Sequence, residues 1–201
     1  PVDPFVQDTF FEQVTQLEDI LNQTEAEIAL IGVTPTYPSS KYGYIIPSTN
    51  PTTNHSIESI HVQRFTEKPT EKEAASLIEQ NALWNCGVFA FKLGFIISIL
   101  EKRGYPLDYN ELLRQYDKLP ENSFDYEVVE KTENIVVLPY NGYWKDLGTW
   151  RTLTEEMSTT QIGKGFITED CEETHLINEL DIPIVVLGVS NVIVAASPDG
   201  I

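Results

Sequence analysis

The sequence predicts an α/β protein, and three features carry that prediction. An apolar pattern at helical spacing near the N-terminus leads into an almost unbroken apolar run, Ile28 to Val33. Helix-type and strand-type segments then alternate along residues 1–160, and after Gln161 the chain turns to short β-branched runs separated by Gly, Asn and Asp. Residues 1–160 therefore read as one α/β body and 161–201 as a small β appendage.

Phe10, Phe11, Val14, Leu17, Ile20 and Leu21 recur at helical spacing, and Thr9 with Glu12 has the form of a capping box, which predicts a helix from Thr9 to Gln23. Ile28 to Val33 suits a strand covered on both faces. Tyr42 to Ile46 and Ile57 to Phe65 are further strands, joined by a Ser, Thr, Asn and Pro-rich loop. Pro69 stops the second of these, and Thr70 with Glu73 makes another capping box ahead of Ala74, Ala75, Leu77 and Ile78. Trp84 to Phe91 reads as a strand, and Phe95 to Lys102 as a helix stopped at Gly104. Leu112 to Leu119 and Tyr126 to Val129 suggest helical turns, Ile135 to Tyr140 a strand, and Thr149 opens a helix through Met157. In the appendage the strands are Ile184 to Leu187 and Val192 to Ala196. The hairpin signal Asp199-Gly200 follows, after which a return strand is expected.

Thirty-one acidic against 13 basic residues in 201 give a formal charge of −18, which excludes a basic, phosphate-tracking nucleic-acid binder but not small anionic substrates. Cys86 and Cys171 lie far apart, so neither a zinc site nor a disulfide framework is indicated, and no apolar run reaches membrane-spanning length. The reading is a cytoplasmic protein with no nucleic-acid or membrane partner.

The candidate chemistry lies in PVD at the N-terminus, TPTYPSSKYGYI, FTEKP, WNCGVF and YWKDLGTW. Asp146, just before Gly148, is either a turn aspartate or a carboxylate at a strand end that holds Mg2+, and Asp3 has the same two readings. Lys68 and Glu67 are either a solvated charge pair or a phosphate contact beside an acceptor for sugar hydroxyls. Asn85 places an amide in an otherwise apolar strand and demands partners, from a neighbouring loop or from a ligand hydroxyl. Gly43, between two tyrosines, marks a bulge or a place where something approaches the backbone closely. His55, His61 and His175 show no metal spacing, and Cys86 reads as a small buried residue.

Together and in this order, TPTYPSSKYGYI, FTEKP, WNCGVF, FDYEVVEK and YWKDLGTW resemble successive blocks of the bacterial mannose-1-phosphate guanylyltransferases, also called GDP-mannose pyrophosphorylases. The tail VVLGVSNVIVAASPDGI resembles that family's C-terminal β segment. The resemblance implies a Rossmann-like nucleotidyltransferase mixed sheet, of which residues 1–160 are the C-terminal part, followed by the start of a left-handed β-helix-like region. It further implies reaction of mannose 1-phosphate with GTP to give GDP-mannose and pyrophosphate, assisted by Mg2+. Asp3 and Asp146 then resemble the metal aspartates, Lys68 the contact to the sugar phosphate, Glu67 and Asn85 the ligands of sugar hydroxyls, and Gly43 the residue whose backbone touches the sugar. Asp3, Asp146 and Lys68 are the catalytic candidates, with a homo-oligomer left open.

The family's Gly-rich loop, which wraps the triphosphate, is absent from these residues, so the chain alone is expected to turn over little or nothing. Pro4, Cys86, Phe124 and Glu127 are lesser departures and bear on the choice of hexose. Three alternatives stand beside this reading: a glucose 1-phosphate nucleotidyltransferase, a catalytically silent sugar-phosphate-binding or regulatory module, and a glycoside hydrolase with Asp3 and Asp146 as paired carboxylates.

Overall fold

The computed structural model describes residues 3–51 and 59–201; Pro1, Val2, His55 and the start of the strand expected from Ile57 lie outside the described residues. In chain order the elements are β1 (Pro4–Val6), α1 (Thr9–Gln23), β2 (Ile28–Val33), β3 (Gly43–Pro51), β4 (Ile60–Thr66), α2 (Glu71–Glu79) and β5 (Leu83–Phe91). They continue with α3 (Leu93–Lys102), α4 (Tyr109–Arg114), α5 (Phe124–Glu127), β6 (Ile135–Tyr140), β7 (Trp144–Asp146) and α6 (Trp150–Glu156). The short strands β8 (Gln161–Ile162), β9 (Gly165–Ile167), β10 (His175–Asn178), β11 (Ile184–Val186) and β12 (Ile193–Ala196) complete the chain. These elements fall into two compact units, Val6–Trp144 on one hand and residues 3–5 with Lys145–Ile201 on the other.

In the first unit β2 is the hub. It runs parallel to β6 from Ile28↔Ile135 to Val33↔Tyr140, and antiparallel to β5 on its other side. The strand order is β2-β5-β3-β4-β6, and a short antiparallel contact of Ile60 and His61 with Val137 and Val136 closes the ring. The expected mixed sheet is thus present, and its closure is an addition that the apolar runs did not signal.

Every residue of β2 is buried, because its two faces feed two apolar layers. Ala29, Ile31 and Val33 pack with Phe10, Leu17 and Ile20 of α1 and with Ala74 and Leu77 of α2. Ile28 and Leu30 pack with Val129, Ile135 and Val137, flanked by Phe95 and Phe124. Two covered faces leave no position for a polar alternation, hence the continuous apolar run.

Helix α1 has the expected span, but the Thr9–Glu12 capping box does not form. The N-cap position is Asp8, already in the helical region at φ −56° and ψ −32° and without a side-chain cap. Thr9 is therefore inside the helix rather than flanking it, where its hydroxyl cannot serve the first turn. The second box does form: the Thr70 hydroxyl accepts from the Glu73 backbone N–H, and the Glu73 carboxylate accepts from the Thr70 N–H at 2.9 Å. The turns expected over Leu112–Leu119 and Tyr126–Val129 appear as α4 and α5, each followed by a single 3-10 turn, Tyr116–Lys118 and Val129–Lys131.

In the second unit β1 pairs with β7, and the Leu147 N–H donates to the Asp3 carbonyl at 3.0 Å. Thr149 caps α6 through a reciprocal contact with Thr152. The short strands form parallel ladders, β12-β10-β8 and β11-β9. The Asp199-Gly200 signal makes a tight turn in which Ser197 and Gly200 bridge. Among the described residues no helix is long and apolar enough to cross a membrane.

Candidate functional site

The first unit brings Gly43, Glu67, Lys68 and Asn85 together. Gly43 opens β3 and pairs with Asn85 on β5, which in turn pairs with Gly32 on β2. A methyl group on Gly43 would strike Glu67 Oε2 and come within 2.9 Å of Phe65 Cζ and 3.3 Å of Asn85 Cβ. That absence of a side chain is what leaves room for the Glu67 carboxylate beside the strand. Glu67 follows the end of β4, its side chain is 6 % exposed, and its Oε2 has no hydrogen-bond partner among the described residues.

Lys68 is half exposed, with Nζ 3.6 Å from Glu67 Oε1. Its backbone is left-handed at φ 44°, a conformation that costs a non-glycine residue about 1–2 kcal/mol and that clusters at functional turns. Asn85 is held at both ends of its amide: Nδ2 donates to Asp125 Oδ1 at 2.7 Å, and Oδ1 accepts from the Gly87 N–H at 3.0 Å. Gly87 has φ 74° and sits in a bulge, since β5 advances from Asn85 to Phe89 while β2 advances only from Gly32 to Leu30.

Burial pushes the Glu67 carboxyl above its ordinary range; the nearby Asp125 carboxylate pushes it further and Lys68 only partly offsets this. Glu130 adds to the same effect, and its Oε1 accepts from the Glu67 backbone N–H at 3.2 Å. An acceptor without a partner, raised in pKa and set beside a fixed amide, is suited to a ligand that supplies hydroxyl donors.

The second unit brings Asp3 and Asp146 together over Gly148. The point that a Cβ on Gly148 would occupy lies 3.1 Å from Asp146 Oδ2 and 3.3 Å from Asp3 Oδ2. Two hard oxygen donors converge on one small space. Mg2+ commonly takes only one or two protein carboxylates and completes its shell with water and substrate phosphates, so this pair fits it. Among the described residues no group of three or more His, Cys, Asp or Glu side chains forms a fuller cage. Beside the pair, Lys145 contacts Glu155 at 2.8 Å and Glu156 at 2.7 Å. Burial alone would lower the Lys145 ammonium, but the two carboxylates outweigh it and hold the charge in place.

Cys86 is buried, as its sequence context suggests, and burial pushes its thiol up to about 11. His61 and His175 lie on separate strands. A cleft of about 860 Å3 in the second unit, lined by Arg151, Thr168, Cys171 and His175 among others, contains none of the sequence-derived candidates. Sequence reasoning missed Asp125 and Glu130. Both lie in FDYEVVEK, a block recognised as a whole without either residue being given a role. The three acidic residues set among its apolar positions, Asp125, Glu127 and Glu130, were the available signal.

The nucleotidyl transferase family model matches residues 3–162, and the chain belongs to that family. Among curated relatives it is 30 % identical over 198 residues to a mannose-1-phosphate guanylyltransferase of Sinorhizobium fredii, covering 88 % of this chain and 38 % of the relative. It is 29 % identical to the alginate biosynthesis protein AlgA of Pseudomonas putida, covering 86 % of this chain and 39 % of that protein. A solved structure from Thermus thermophilus, described as a mannose-1-phosphate geranyltransferase, matches 99 % of this chain and 62 % of its own with a TM-score of 0.74 at 28 % identity. The chain thus spans about two-fifths of the length of these curated relatives.

Proposed function

We propose that the chain carries the sugar-phosphate-binding and metal-binding residues of a mannose-1-phosphate guanylyltransferase, which joins GTP and mannose 1-phosphate into GDP-mannose with release of pyrophosphate. The observation that carries this reading is the buried, unpartnered Glu67 Oε2 beside Gly43 and Asn85. A sugar hydroxyl donates to Glu67 while the remaining Asn85 N–H donates to a hydroxyl oxygen, and Lys68 places its ammonium on the sugar's phosphate. The phosphate oxygen of the sugar phosphate attacks the α-phosphorus of GTP in line and pyrophosphate leaves. A phosphate monoester is already a competent nucleophile, so these residues act by position and charge rather than by removing a proton. Asp3 and Asp146 would hold Mg2+, which when bound neutralises charge on the reacting phosphates.

The parallel ladders of short strands after Gln161 support reading the appendage as the start of a left-handed β-helix. The relatives support a bacterial-type enzyme, and a nucleoside triphosphate substrate supports a cytoplasmic setting. The test is pyrophosphate release with Mg2+, using GTP, ATP, UTP or dTTP against mannose and glucose 1-phosphates. Because the resemblance puts the triphosphate on a Gly-rich segment outside these residues, the chain is assayed both alone and fused behind that segment from a relative. The fusion is expected to favour GTP with mannose 1-phosphate, and the chain alone to be nearly silent. A fusion that prefers glucose 1-phosphate overturns the choice of hexose, and one that binds sugar phosphate without turnover favours the silent module.

A further inference from the structure

We infer that Asp125 is a positioning residue of the sugar subsite, fixing the orientation in which the Asn85 amide is presented to the ligand; this rests on the reading of Asn85 as a hydroxyl contact. Asn85 occupies a row in which its partners on both neighbouring strands, Gly32 and Gly43, have no side chain to steer it. Two contacts settle its orientation instead. Asp125 Oδ1 accepts from Nδ2 at 2.7 Å, and the bulged Gly87 donates to Oδ1 at 3.0 Å. Turning the amide over would set its oxygen against the Asp125 carboxylate and its N–H against the Gly87 N–H, so one orientation is strongly favoured.

Once oriented, the amide has one N–H and one lone pair left for a ligand. The same carboxylate raises the proton affinity of Glu67, so removing Asp125 favours the ionised, accepting form of Glu67 and any loss of binding is read through Asn85 alone. Its own place is secured by the fold: it lies in α5, whose N-cap Ser123 accepts from the Tyr126 N–H, and the preceding Phe124 packs on Phe89 with ring centroids 5.4 Å apart. Phe89 lies on β5, as Asn85 does, which ties the short helix to the strand it serves.

The experiment is a double-mutant cycle on the 201-residue chain, read by calorimetric titration with mannose 1-phosphate and with inorganic phosphate as a control. Asp125→Ala is expected to weaken sugar-phosphate binding roughly tenfold while leaving inorganic phosphate unchanged, the scale of one charge-assisted hydrogen bond. In an Asn85→Ala background the same change is expected to cost less than about twofold, because the group it positions is gone. Equal losses in both backgrounds overturn the inference. Asn85→Ala weakening binding while Asp125→Ala does not also overturns it and leaves the sugar-subsite reading standing. No loss from Asn85→Ala overturns both. Asp125→Asn keeps an acceptor for Nδ2, and recovery to within about threefold of the parent supports the inference even if Asp125→Ala does not fold. A loss in Asp125→Asn as large as in Asn85→Ala overturns it.

Discussion

Gly43 and Glu67 share one space: the carboxylate oxygen Oε2 occupies the position that a side chain on residue 43 would need. That oxygen is buried and unpartnered, a condition costing on the order of 1–3 kcal/mol that a hydroxylic ligand would relieve. The glycine and the glutamate are therefore one feature: the side chain missing at residue 43 is the room that the Glu67 carboxylate fills.

Gly43→Ala is expected to displace Glu67 and to weaken mannose 1-phosphate binding at least tenfold. The buried Phe65 must shift as well, so overpacking should cost about 1–3 kcal/mol of stability. Titration calorimetry and a thermal melt separate the two effects. A variant that binds as tightly as the parent removes Glu67 from the site.

The raised Glu67 pKa fixes the sign of a pH effect. Only the carboxylate accepts hydroxyl donors at both oxygens, so sugar-phosphate affinity should fall as pH drops through a value above the ordinary glutamate range. Lys68 opposes the rise, and Lys68→Ala should therefore move that limb to higher pH in addition to weakening phosphate binding. Trp84 precedes Asn85 and is buried beside Tyr42 and Trp144, which makes tryptophan fluorescence a direct readout across pH. A limb that stays in place in Lys68→Ala would sink the pairing.

The sequence was most legible where one physical cause dominates. Burial on both faces made β2 readable as an apolar run, and Thr70 with Glu73 announced α2 because a capping box is a local contact. Thr9 with Glu12 had the same pattern and failed, since the backbone at Asp8 already turns as helix and no residue type reports that. In the site, Gly43, Glu67 and Asn85 could be picked as oddities of strand composition. Asp125 could not, because its meaning comes from a hydrogen bond across 40 positions of sequence. The Asp3–Asp146 pair was legible only through family resemblance, as a single aspartate at either place is an ordinary turn residue.

Glu127 is one of the departures from the family pattern, and the structure gives it a stabilising role. Its carboxylate accepts from Asn122 at 2.8 Å and pairs with Lys131 at 3.0 Å and Arg103 at 2.6 Å, which together hold its pKa at about 2. A carboxylate depressed by folding stabilises the native state above its ordinary value of 4.5, and the contribution is lost as pH falls from there toward 2. Glu127→Gln should therefore be less stable than the parent near neutrality and equal to it at the acid end. Urea midpoints measured across that range check this; a constant gap would mean that packing, not charge, explains the loss.

Asp146→Asn tests the second unit. Asp3 and Asp146 place two carboxylate oxygens within 3.3 Å of one point, a like-charge arrangement that a divalent cation relieves. Removing one charge should lower Mn2+ affinity, read by paramagnetic resonance as a stand-in for Mg2+, at least tenfold. The melting temperature without metal should hold or rise, because repulsion falls. Gly148→Ala should weaken Mn2+ binding too, by putting a methyl group in the space between the carboxylates, while leaving both charges present. The two variants thus separate loss of charge from loss of room. Unchanged Mn2+ affinity in both would return Asp3 and Asp146 to the turn roles that their sequence positions first allow.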